Sequence, residues 1–167
     1  WIIPGLLERS ERVIVVAPEG VGKTMLARQM AICAAAGIHP FTGQPIKPLR
    51  TLTIDLENPD KIIRRTSRKI MKIARERTRL SDSTPIEAYL RIMPAGVDLL
   101  KPTGRAIVDA LVEDIKPDLL CMGPLYKSFI EPGGRSAEAS ASEIAMYYDH
   151  LRYDFNCALW LEQHAPL

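Results

Sequence analysis

The residues best suited to chemistry in this chain form one run, Ala17-Pro18-Glu19-Gly20-Val21-Gly22-Lys23-Thr24, continued by Met25. Gly20 and Gly22 let backbone N–H groups turn toward a common point and cradle phosphate oxygens. A helix beginning near Lys23 aims the positive end of its dipole at the same oxygens. Lys23 adds a point charge for the outer phosphates, and the Thr24 hydroxyl can reach a magnesium ion. The run from Ala17 to Met25 is therefore expected to contact a nucleotide. The alternative is a glycine-rich turn with an exposed lysine. The apolar strand before the run and the apolar helix after it favour the phosphate loop.

Carboxylates follow in "TLTIDLENPD", where Asp55 and Glu57 share one face near the carboxyl end of a strand. Ligands of open parallel sheets sit at such strand ends. Glu57 is expected to act as catalytic base, orienting and deprotonating water near the last phosphate, with Lys23 as its catalytic partner. A helix N-terminal residue favoured by the dipole is the other reading of Glu57. The segment "DLLCMGPLYKSF", Asp118 to Phe129, has the shape of a strand that should supply a magnesium-holding aspartate, yet Gly123 stands in its place. Magnesium needs few direct protein ligands. Thr24 and phosphate oxygens are expected to hold it, with Asp55 accepting from a metal-bound water. Gly123 would leave room for that water, so an aspartate there is expected to be tolerated. Gln163 and His164 close the last strand and are candidates to sense the phosphate.

The positioning elements follow from period and punctuation. Apolar, β-rich runs occupy 12–17, 51–56, 89–94, 118–123 and 157–163, and their near-continuous apolarity suits strands buried on both faces. Helical patterns occupy about 23–36, 60–78, 103–115 and 140–154. This alternation implies an α/β fold, a mostly parallel sheet with helices on both faces. The run 39–50 reads as a connection without regular elements, and the Gly-rich 131–142 as a mobile loop.

The chain has 167 residues, 47% apolar and 25% charged, which fits one soluble globular domain. Its net charge of +2 argues neither for nor against nucleic acid. No apolar stretch is long enough to span a membrane. Cys33, Cys121 and Cys157 stand singly among apolar residues and read as reduced thiols of a cytoplasmic protein. His39 and His150 read as surface residues, and no His/Cys cluster has metal-ligand spacing. Between 61 and 79 the bases Lys61, Arg64, Arg65, Arg68, Lys69, Lys72, Arg75, Arg77 and Arg79 face a single acid, Glu76. Ile63, Ile70, Ile73 and Ala74 form the expected packing stripe of that helix. A solvated face and a nucleic-acid or subunit contact both remain open for its basic side. Lys127 and Arg135 are the cations available near the Gly-rich loop.

Taken together, Pro4-Gly5-Leu6-Leu7, the phosphate loop, Gly43, the strand ending in Glu57-Asn58 and the final "WLEQHA" resemble the RecA-like hexameric ATPases of plasmids, phages and integrative elements, the RepA replicative helicase type being the best known. The resemblance covers essentially the whole chain as a single domain. It implies ATP and Mg²⁺ as ligands, Glu57 as catalytic glutamate, assembly into rings and action on single-stranded DNA. It also implies that the last strands and an arginine finger lie beyond Leu167. Asn58 departs from the family's usual second acid. A nucleotide-gated assembly module with weak hydrolysis is the alternative that Gly123 favours. A small-molecule kinase is disfavoured, because no arginine-rich lid follows the third strand.

Overall fold

The computed structural model describes residues 1–130 and 136–165. Five strands alternate with helices: β1 (Arg12–Ala17), α1 (Lys23–Ala35), β2 (Thr51–Asp55), α2 (Asp60–Thr78), β3 (Ala88–Ile92), α3 (Pro102–Ile115), β4 (Leu119–Gly123), α4 (Ala137–Asp154) and β5 (Ala158–His164). A short 3-10 turn, Leu125–Lys127, follows β4. The strands form one sheet in the order β1-β5-β4-β2-β3, with every pairing parallel.

Period-two alternation sends each strand's side chains to two layers. Leu52, Ile54, Leu120, Met122, Leu159 and Leu161 meet α3 and α4 through Val108, Val112, Ile144 and Leu151. Leu119, Cys121, Ala158 and Trp160 point the other way, onto α1. That helix presents Ala27, Ala31 and Ala34, whose small side chains let it lie close to the sheet. Outside it, α2 packs through Ile70, Met71 and Ala74 against Ile32 and Ala36. Each fully buried leucine or isoleucine in these layers contributes roughly 1.5–3 kcal/mol relative to exposure.

Several expectations need correction. Burial on both faces holds for β2 and β4, but β1 and β3 alternate between partly buried and exposed. These two strands lie at the sheet edges, and Ile14 and Val16 are among the exposed apolar residues. The fourth helix begins at Ala137, capped by the Ser136 hydroxyl accepting from the Ala139 N–H at 3.1 Å, so 137–142 is helix rather than loop. Ile73 is exposed, and Met71 takes its place in the stripe of α2. His39 is buried: its Nδ1 accepts from the Phe41 and Thr42 N–H groups, both at 3.2 Å, which leaves Nε2 to donate to the Pro4 carbonyl at 3.1 Å. His150 is half-buried between Asp109 and Asp154. All three cysteines are free thiols. Among the described residues, no helix is long and apolar enough to cross a membrane.

Candidate functional site

The sheet order explains where the site forms. From β1 the chain crosses over two strand positions before re-entering as β2, so the carboxyl end of β1 opens onto a crevice. The loop after β1 fills that crevice. Gly20 has φ +79° and Gly22 +97°, a left-handed backbone that side-chain-bearing residues rarely adopt. Gly22 is also the N-cap of α1, whose first turn holds no acidic residue, so the positive helix end stays uncompensated. A cleft of about 450 Å³ lies above it, bordered by Glu19, Gly20, Gly22, Lys23, Thr24, Met25, Glu57, Asn58, Pro59 and His164. A volume of this size is in the range of small-molecule sites.

Within the cleft, the Lys23 ammonium donates to the carbonyls of Ala17 at 2.6 Å and Pro18 at 2.7 Å, and the residue is buried. The lysine thus holds the loop in shape, and a phosphate bound there would compete for the same charge. Val21 points outward and is exposed.

Glu57 stands across the cleft, on the turn after β2. Asp55 fastens this turn: its Oδ1 accepts from the N–H groups of Glu57 at 3.1 Å and Asn58 at 2.8 Å, and the Asn58 amide reaches both carboxylate oxygens at 3.2 Å. Arg28 of α1 adds an ion pair at 3.2 Å, with both side chains buried. Asp55 therefore sits beneath the turn, outside the cleft, with its acceptor positions in use. Asn58, where the related pattern has an acid, spends its amide on Asp55. The Glu57 carboxylate receives the Tyr126 hydroxyl on Oε1, and His164 Nε2 lies 3.8 Å from Oε2. Tyr126 and His164 meet edge to face, 5.2 Å between centroids. Donation to Glu57 is the main reason the Tyr126 phenol is pushed up to about 12.

Of the two residues expected at the end of β5, His164 reaches the cleft. Gln163 is not among the residues bordering it, since neighbouring strand residues point to opposite faces, and its Oε1 is buried without a hydrogen-bond partner among the described residues. Lys127 is half-buried in the 3-10 turn, and Arg135 lies outside the described residues.

Two contributors were missed in the sequence. Tyr126 follows β4 and gives no local sign of pointing at Glu57. Glu162 is the more telling omission. It is buried on β5 and its Oε2 accepts the Thr24 hydroxyl at 2.8 Å. Burial pushes its carboxyl up to about 7, against the opposing pull of the Thr24 hydrogen bond. Its backbone and Cβ also occupy the space above Gly123. A Cβ added to Gly123 would stand 2.6 Å from the Glu162 Cβ and 3.2 Å from the Glu162 N and O. The room expected over Gly123 does not exist, and an aspartate there would collide with β5. One signal was available: an acid inside the apolar run "ALWLEQ" is out of place unless something binds it.

A family model described as an AAA domain matches residues 1–166. The chain belongs to this family. No match to a curated protein was found. The five-stranded parallel sheet with helices on both faces is a RecA-like P-loop NTPase core. In this AAA domain the glycine loop after β1 lies at the carboxyl edge of the sheet.

Proposed function

We propose that this AAA domain binds ATP with Mg²⁺ in the cleft over Lys23 and hydrolyses it. The observation that carries the reading is the facing pair itself. A glycine loop, an uncompensated helix N-terminus, Lys23 and Thr24 stand on one wall, and Glu57 stands on the other. The loop N–H groups and Lys23 bind the phosphates. Glu57 orients a water and takes its proton as the water oxygen bonds to the terminal phosphorus and the bridging P–O bond breaks. His164 and Tyr126, both touching the Glu57 region, sense whether the last phosphate is present. The Thr24 hydroxyl is a hard oxygen donor on the loop wall and would contact a cation such as Mg²⁺, which would supply charge neutralisation when bound.

The resemblance to RepA-type ring ATPases supports a motor or loader acting on single-stranded DNA. The basic face of α2 adds to that. Arg68, Lys72, Arg75 and Arg79 border a second cleft of about 580 Å³, away from the phosphate loop. A nucleotide-gated assembly module with slow hydrolysis is the second reading. It is favoured by the Tyr126 hydroxyl, which occupies Glu57 Oε1 and must leave before that oxygen can accept a proton from water. Phosphate release measured with and without single-stranded DNA, together with the oligomeric state under each condition, tests both. The motor reading expects DNA-stimulated turnover and rings. Nucleotide binding with assembly but negligible turnover, DNA or not, selects the module.

A further inference from the structure

We propose that Glu162 of β5 is the acid that this domain presents, through Thr24, to the divalent cation accompanying the nucleotide, standing in for an aspartate that β4 lacks. The inference rests on the nucleotide-binding reading above and names the residue that completes its metal side.

The first support is contact. Thr24 carries the hydroxyl that the loop offers a cation, and that hydroxyl donates to Glu162 Oε2 at 2.8 Å. Giving its proton to Glu162 leaves the Thr24 oxygen lone pairs for a cation. The second is exclusion. Gly123 ends β4 beside Glu162, and a Cβ on it would stand 2.6 Å from the Glu162 Cβ. A side chain at Gly123 would force the two strands apart, so the acid on β5 and the glycine on β4 fit together as two halves of one arrangement. The third is charge. Glu162 is buried among the apolar residues of β5, and among the described residues it makes no ion pair. A carboxylate buried in apolar surroundings is costly, and a cation arriving at Thr24 lowers that cost. The other carboxylate on this face, Asp55, is already committed to Arg28 and to the Glu57-Asn58 turn.

The test is equilibrium binding of a fluorescent ATP analogue, titrated with Mg²⁺ from an EDTA baseline. Glu162→Gln keeps the size and the hydrogen bond to Thr24 but not the charge. Loss of an outer partner of a metal site typically weakens metal affinity about 10–100-fold. The Mg²⁺ concentration giving half of the metal-dependent gain should rise by about that factor. Binding in EDTA should stay within about two-fold of wild type, a split that a merely structural residue would not produce. Glu162→Asp, which keeps the charge on a shorter arm, should fall between the two, and it decides the matter if the glutamine variant does not fold. An unchanged Mg²⁺ midpoint in the folded variant overturns the proposal while leaving nucleotide binding intact. Wild type that binds nucleotide without regard to Mg²⁺ also overturns it. Wild type that binds no nucleotide under any condition overturns the underlying reading instead.

Discussion

Replacing Gly123 by alanine adds a single methyl group, and the structure sets what that methyl must do. The new Cβ would lie 2.6 Å from the Glu162 Cβ and 3.2 Å from the Glu162 N and O. Carbon atoms in contact settle at about 3.5–4.0 Å, so the two strands must part by about 1 Å. They cannot do so freely, because β4 and β5 are hydrogen-bonded neighbours inside the sheet, with helices over both faces. Overpacking of this kind typically costs about 1–3 kcal/mol. Gly123 has no positive φ to relax, so an unhindered alanine would instead stabilise by about 0.4–1 kcal/mol. Any net loss is thus a lower bound on the collision. For a chain of this size each kcal/mol shifts Tm by about 2–4 °C, so thermal unfolding followed by circular dichroism should fall by about 2–12 °C. Glu162→Gly removes the nearest obstacle. In the double variant the alanine should cost at least about 1 kcal/mol less than it does alone, a coupling that a double-mutant cycle reads directly. An alanine variant that melts with wild type would refute the packing argument. So would a double variant whose loss equals the sum of the single losses.

Three further outcomes are expected. Lys23→Ala should abolish measurable nucleotide binding, because a charge-assisted phosphate contact is lost, while circular dichroism shows the fold retained; wild-type affinity by calorimetry would contradict the loop assignment. Glu57→Gln should bind ATP normally and turn over about 10²–10⁴-fold more slowly, the usual loss for a general base; phosphate release within a few-fold of wild type would place the base elsewhere. Asp55→Ala leaves Arg28 buried without its partner and should destabilise by about 3–5 kcal/mol in chemical denaturation, far more than a surface acid; a loss below about 1 kcal/mol would mean the turn is held by other means.

The local features of this protein were legible in its residues. The glycine loop after β1 is contiguous, and the left-handed backbone at Gly20 and Gly22 is set within a few residues. The helices closed within three residues of expectation for the same reason, since caps and periodicity are short-range. Strand order could not be read, because pairing β1 with β5 joins residues about 150 apart through contacts that no local pattern encodes. Asp55 shows the limit at the site. Sequence placed it at the right strand end, but only packing brought Arg28 and the Glu57-Asn58 turn within bonding distance and turned it into a fastening. Gly123 read alone is a missing acid. Its meaning came from the neighbouring strand, where Glu162 fills the space and holds Thr24. That complementarity depends on which two strands lie side by side and in which register, and the tertiary structure alone decides both.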